Sequence, residues 1–350
     1  MTSNVGAVPY FVHVTYASAG EDAANNSTMN SSIPDHIDFT KMTAGGNDFV
    51  CIDNTTGKYD DLINSPLLPE FIRSICRRGL SVGADGVLFA CERGSADGID
   101  IVARFMEPDG SEARLCGNGT ACFTYWSLAK RLVTGPKVTI LTAAGTAQAQ
   151  PEPDNPRRIR VCVPNPRGLE MGIEIEAAGA HWTLDKIDTG VPHAVIFVND
   201  LEDLDVAHAG PAIRHHPRFA PLGGVNANFT SIIREGEIAV RTFEFGVEAE
   251  TLACGTGCTA AAIIGCLRHK WSAEYCDGSR PIRVRVRGGE LLRIWFTLQD
   301  DGSVVDVCLE TGARPIYDGV LRSEFLRELN SREVPEPIAA TDPRRGTAAN

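Results

Sequence analysis

Cys116-Gly117-Asn118-Gly119 and Cys254-Gly255-Thr256-Gly257 are two copies of one pattern, Cys-Gly-x-Gly, set a domain-sized interval apart in a chain of 350 residues. Each copy opens a small-residue helix start that runs into an apolar segment, over 120–130 after the first and 258–267 after the second. A thiol repeated in matched settings predicts two related halves, each presenting a cysteine at a helix N-terminus. The glycines leave room for close approach, and the unpaired amides of a first helical turn form a cradle for a carboxylate. The positive end of the helix dipole is expected to lower the pKa of a thiol held there and make it a usable base or nucleophile.

Outward from the two motifs, strand-like runs cover 37–41, 49–53, 87–91, 99–106, 138–141 and 159–163, with a helix over 68–77. The second half repeats this texture at 183–188, 194–198, 230–234, 238–245, 282–286, 291–298 and 304–309. The fold class is therefore α/β (α+β), with strands dominating both halves. The Pro-rich segment 151–156 and the turn Pro164-Asn165-Pro166 bracket the expected crossover. The expected division is a mobile N-terminal extension over 1–37, a first domain over 38–163 to which 312–329 returns, a second domain over 164–311, and a flexible tail over 330–350.

Composition narrows the function classes. A 43% hydrophobic content fits a globular protein, and a net charge of −12 excludes a general nucleic-acid binder. Arg283, Arg285 and Arg287 alternate with Val284 and Val286, which reads as one solvated strand face rather than an RNA contact. No apolar run is long enough for a membrane span, and no basic-then-apolar signal opens the chain, so a cytosolic protein without membrane partners is expected. Eleven cysteines are scattered and odd in number, several within apolar runs such as Val161-Cys162-Val163. In a reducing compartment most of them read as small buried hydrophobes rather than disulfide partners.

Two matched thiols suit one kind of chemistry well. Inverting a carbon that bears an acidic C–H requires a base on one face and an acid on the other, and an opposed pair can exchange roles for the reverse direction. An amino-acid carboxylate held between two helix N-termini would have its developing charge stabilised by their amides. Zinc fits poorly, because the Cys116/Cys122 and Cys254/Cys258 spacings have no histidine beside them and lie in helix starts. A thiol hydrolase using one cysteine with His193 leaves the repeat unexplained. Two purely structural cysteines in glycine turns are the remaining reading.

The chain resembles the diaminopimelate epimerases, within the wider group of cofactor-independent two-cysteine amino-acid racemases and epimerases. The resemblance rests on 41–49 (Lys-Met-Thr-Ala-Gly-Gly-Asn-Asp-Phe), Val82-Gly83-Ala84-Asp85-Gly86, Asp109-Gly110-Ser111-Glu112 before Cys116, Gly190-Val191-Pro192-His193, Asn226-Ala227-Asn228-Phe229, 250–257, and Tyr317-Asp318-Gly319. It implies two pseudo-symmetric domains, each a barrel-like sheet around a central helix, with the site between them and no cofactor or metal. It also implies that Cys116 and Cys254 are the acid/base thiols, supported by His193 and Glu244. Asn47, Gly117, Asn118, Asn226, Gly255 and Thr256 match substrate-binding positions, and the implied partner is a small amino acid; a homodimer is compatible with the resemblance.

Two positions depart from that pattern where the far end of diaminopimelate would be held. Glu107-Pro108 stands where Asn and a small residue are usual, and Glu244-Phe245-Gly246 stands where Glu-Arg-Gly is usual. Glu107 and Phe245 are therefore counted among the substrate-binding positions. An arginine that would pair with a distal carboxylate is lost, while Glu107 would attract an amine or imidazolium. The expected function is diaminopimelate epimerisation, LL to meso, a step toward lysine and cell-wall peptide. The alternatives are a racemase of another amino acid such as histidine, and a non-isomerase relative on the same fold.

Overall fold

Apolar residues at every second position give strands whose inner faces close on two buried helices. The computed structural model describes residues 36–94, 98–113, 116–143, 145–322 and 324–325. The first lobe holds β1 (His36–Ala44), β2 (Asn47–Asp53), α1 (Asp60–Ile63), α2 (Leu68–Cys76), β3 (Gly86–Arg93), β4 (Ile101–Met106), α3 (Gly117–Ala129), β5 (Val138–Thr142), β6 (Gly145–Glu152) and β7 (Asn155–Cys162). The second holds β8 (Arg167–Ala177), β9 (Ala180–Asp188), β10 (Pro192–Phe197), α4 (Val206–Arg214), β11 (Asn226–Arg234), β12 (Glu237–Glu244), β13 (Ala249–Thr251), α5 (Gly255–His269), β14 (Ile282–Val286) and β15 (Leu291–Leu298). The long β16 (Val304–Arg322) pairs with β15 and β7 in its first part and with β1 in its second, so one strand serves both lobes.

The two lobes repeat one topology. β2 and β3 pair in parallel across α2, as β10 and β11 do across α4; β4 and β5 pair in parallel across α3, as β12 and β14 do across α5. In the first lobe the β1–β16 pairing closes the sheet into a barrel, while in the second the strand path ends at β8. α3 lies in the core that includes Met42, Phe105, Val138 and Val161, and α5 in the core that includes Val195, Val240, Ile294 and Leu309. Both helices are buried on nearly all sides. Among the described residues, no helix is long and apolar enough to cross a membrane.

Several expectations need correction. The crossover falls at the far end of the stretch bracketed by 151–156 and 164–166: residues 151–156 lie in the β6–β7 hairpin of the first lobe, and the chain passes toward β8 only after Cys162. His36 and Ile37 belong to β1, and Ile37 is fully buried, so the barrel starts inside the region assigned to the extension. The rest of that extension and the tail over 330–350 lie outside the described residues. Cys162, which reads as a small buried hydrophobe, instead forms a disulfide with Cys308, and a second disulfide joins Cys266 and Cys276. Cys162 and Cys308 face each other directly in the β7–β16 register, and that proximity exists only once the strands pair.

Candidate active site

α3 and α5 both begin on a cysteine. Cys116 and Cys254 are their N-caps, with extended backbone at φ −133° and −123°, and both thiols are free. The Gly119 N–H donates to Cys116 Sγ at 3.3 Å, and Cys254 Sγ lies 3.5 Å from Thr256 Oγ1. A Cβ placed on Gly117 would lie 3.1 Å from Leu309 Cδ2, and one on Gly255 would lie 2.8 Å from the same atom. Leu309, from β16, is thus a wedge touched by both helix starts. Absent side chains at Gly117 and Gly255 let the two N-termini converge on it.

Each lobe braces its own helix start. In the first, Asn118 Nδ2 donates to Asn47 Oδ1 at 2.8 Å, and Asn47 Nδ2 donates to Asp85 Oδ2 at 3.2 Å. Asp85 also accepts the Asp48 N–H and pairs with Arg78 at 2.7 Å. Lys41 pairs with Asp48 at 2.8 Å and donates to the Gly83 carbonyl. In the second lobe, Asn228 Nδ2 donates to the Ala194 and Asn226 carbonyls and to Nδ1 of fully buried His193, while its Oδ1 accepts from Thr242. The two carbonyls fix the orientation of the Asn228 amide, so His193 Nδ1 is an acceptor and the neutral ring carries its proton on Nε2. A Cβ on Gly257 would strike Asn228 Oδ1, which ties the α5 start to this network. Thr189 Oγ1 donates to the Thr256 carbonyl at 3.0 Å.

Burial governs the electrostatics. Both thiols were expected to ionise easily at their helix ends; instead, burial pushes Cys116 up to about 12 and Cys254 well above its ordinary value. Part of the Cys116 surface remains open, yet protein surrounds its sulfur closely enough that the Gly119 and Asn118 amides offset only a fraction of the desolvation. Negative charge on Glu244 raises both thiols further, and Glu107 adds to the effect at Cys116. His193 is held down to about 3 by burial and stays neutral. Glu244 is raised to about 6 by burial, with Thr251 and Cys254 opposing the shift through hydrogen bonding and Asp85 and Glu107 adding to it.

A family model described as "Diaminopimelate epimerase" matches residues 39–166 and 186–313, the two stretches that carry this geometry. A diaminopimelate epimerase from Aquifex aeolicus is 34% identical over 83% of this chain and 99% of its own length, and one from Methanothrix thermoacetophila is 37% identical over 84% and 99%. The chain belongs to the diaminopimelate epimerase family. Solved structures extend the fold further: a PhzF-family phenazine biosynthesis protein from Bacillus anthracis has a TM-score of 0.61 at 16% identity, covering 82% of this chain and 99% of that one. A hydroxyproline epimerase from Agrobacterium vitis has a TM-score of 0.61 at 14% identity, covering 82% and 93%.

In this member of the diaminopimelate epimerase family, Cys116, Gly117, Asn118, Asn47, Cys254, Gly255, Thr256 and Glu244 gather around the two helix starts. His193 and Asn226 sit one strand apart, in register on β10 and β11. Asn226 Oδ1 accepts the Phe245 N–H at 2.6 Å, which fixes the half-exposed Phe245 beside Asn226. The Phe245 ring is covered by the Arg214 guanidinium, 3.9 Å from its centroid, and Arg214 also donates to the Gly223 carbonyl and pairs with Glu248 at 3.2 Å. Glu107 caps the turn after β4, where its N–H donates to the Ser111 carbonyl and its own carbonyl accepts from Gly110. Glu107 is exposed by surface area, but desolvation first, and Asp109 and Asp85 next, hold its carboxyl above the ordinary range.

Leu309, Asn228 and Arg214 join this geometry although the sequence does not single them out as site residues. Asn228 carries a signal: it lies two residues after Asn226 in a strand and so shares its face. Leu309 carries none, since an apolar residue in a strand reads as ordinary core. Glu244 gives a measurable pH effect. Its folded pKa is raised, so its stabilising contribution is full below about 4.5 and is lost as pH rises through about 6. The loss amounts to about 2 kcal/mol for a shift of this size. Urea unfolding at pH 4.5 and 7 should show the parent losing about 2 kcal/mol more than Glu244→Gln. Equal losses in the two proteins would mean that the carboxyl is not strained by burial.

Proposed function

We propose that this chain is a cofactor-independent diaminopimelate epimerase that inverts an α-carbon with Cys116 and Cys254. The observation that carries the reading is that both cysteines cap helices whose first glycines meet the same Leu309 side chain. One sulfur, as thiolate, removes the α-proton; the other, as thiol, delivers a proton to the opposite face, and the roles exchange in the reverse direction. The α-carboxylate lies at the helix N-termini, where backbone amides stabilise the charge that develops next to the carbanion. Both thiols are neutral in the empty site at neutral pH, so the substrate's α-ammonium charge supplies the field that favours a thiolate once water is excluded. Glu244, in hydrogen-bonding reach of Cys254 and poised near neutrality, is the group able to exchange that thiol's proton.

The relatives' name supplies the substrate. Arg214 stacks on Phe245, the residue that replaces the family's usual arginine, and is the guanidinium we assign to the distal carboxylate, which would take it from Glu248. One observation favours a second reading, racemisation of a cationic amino acid such as histidine: Glu107, Asp85 and Glu244 act electrostatically on one another at the site. Incubation in deuterium oxide with each amino acid decides between them. Loss of the α-proton signal of LL-diaminopimelate, with formation of the meso isomer, is expected. Exchange of histidine with diaminopimelate untouched would overturn the substrate assignment and leave the two-thiol chemistry standing.

A further inference from the structure

Arg283 of β14, which the cleft does not use, lines a separate cavity together with Arg293 of β15. On the outer face of the second lobe a charged ladder crosses four strands in register: Glu237 on β12 faces Arg283 on β14, Arg283 faces Arg293 on β15, and Arg293 faces Glu310 on β16. The outer pairs of this ladder join opposite charges, but its centre is two arginines directly across from each other, an arrangement that is unfavourable without an anion beside them. A cavity of about 250 Å³ lies there, lined by Gly236, Tyr275, Arg280, Pro281, Arg283 and Arg293. We propose that this cavity is a binding site for a phosphate-class oxyanion.

The nearby carboxylates do not saturate the guanidiniums. Glu237, only 2% exposed, is held by Arg234, Arg283 and Arg285, and Glu310, fully buried, by Arg158 and Arg293. Five guanidiniums therefore share two carboxylates. Arg280 brings its own partner, Glu274, with Glu235 also within electrostatic reach. Arg283 bonds Glu237 through Nη2 alone and Arg293 bonds Glu310 through Nη1 alone; the side chains are 41% and 39% exposed, and their remaining N–H groups make no bond to protein among the described residues. Tyr275 also lines the cavity, with the Arg280 guanidinium 5.0 Å from its ring centroid. Planar guanidinium forks on adjacent strands with a phenol beside them match the oxygens of a tetrahedral dianion, and the cavity is larger than such an ion needs. The room left over suits a phosphate carried on a small organic body.

Trp271 gives the site its own reporter, because its ring packs edge-on against Tyr275 at 5.9 Å between centroids. The full chain is titrated with inorganic phosphate at fixed ionic strength and followed by calorimetry and by the tryptophan emission that Trp271→Phe removes. Saturable one-to-one binding is expected, weakened about tenfold or more by Arg283→Gln and by Arg293→Gln. Arg293→Lys should bind between the parent and Arg293→Gln, since it keeps the charge and loses the fork. Arg293 lies outside the cleft, so an unchanged turnover rate in Arg293→Gln certifies its fold. A parallel titration with glycerol phosphate distinguishes the sources: tighter binding than inorganic phosphate identifies an organic phosphate as the ligand, and equal or weaker binding identifies the free ion. Absence of saturation, or equal affinity in the parent and in folded Arg283→Gln and Arg293→Gln, would overturn the proposal.

Discussion

Cys116→Ala and Cys254→Ala are each expected to lower the rate of inversion by roughly 10²–10⁴. Inversion needs a proton taken from one face and another given to the opposite face, so either deletion interrupts the same reaction. The two variants need not fail alike. An enzyme that keeps one thiol can still detach the α-proton on the side of that thiol and return a solvent proton there, giving exchange with retention of configuration. In deuterium oxide each variant should therefore show α-proton exchange from one isomer only, with little or no formation of the other, and the two variants should choose opposite isomers. A loss confined to one cysteine would sink the opposed pair and point to a single nucleophile. Both thiols are free and both cap a helix, so neither loss is explained by a broken disulfide.

The repeat of Cys-Gly-x-Gly makes the paired helix starts legible in the amino-acid sequence, because a glycine-led cysteine at a helix N-terminus is a local feature written in consecutive residues. The alternating strands β14 and β15 and the continuous apolar run of β2 are legible for the same reason. β6 is not, since Gly145–Glu152 offers only Ala147 and Ala149 to the core, and α4 is hidden by Gly210 and Pro211 within its span. The thiol pKa values run opposite to the expectation from helix position because the helix dipole is local and burial is not. The disulfide of Cys162 and the wedge Leu309 share one cause of invisibility: both depend on the position of β16, a strand that pairs with partners far from it in sequence. The motif elements around Lys41, Asp85 and Asp318 gain meaning only as partners. Asp318 accepts from Thr40 at 2.5 Å and pairs with Lys130, while Gly319 lies against the Phe39 ring where a Cβ would intrude.

The wedge predicts a coupled pair of substitutions. Gly255→Ala places a methyl group 2.8 Å from Leu309 Cδ2, closer than real Cβ contacts allow, so either Leu309 moves or the start of α5 does. Helix α5 carries Cys254, and a shift approaching about 1 Å at a reacting group costs about 10² in rate. Leu309 is 2% exposed, and Leu309→Ala should destabilise the fold by about 2–5 kcal/mol, because the surrounding helix starts cannot collapse onto the space without moving the thiols. Leu309→Val is the smaller change: it shortens the side chain where the new methyl would press. The double variant Gly255→Ala/Leu309→Val should recover at least about tenfold of the rate lost by Gly255→Ala, although Leu309→Val alone lowers stability by about 1 kcal/mol. Steady-state epimerisation and urea unfolding of the four proteins measure both sides of this cycle. Strictly additive effects would mean that Leu309 does not set the approach of α5, and that the convergence of the two helix starts is maintained elsewhere.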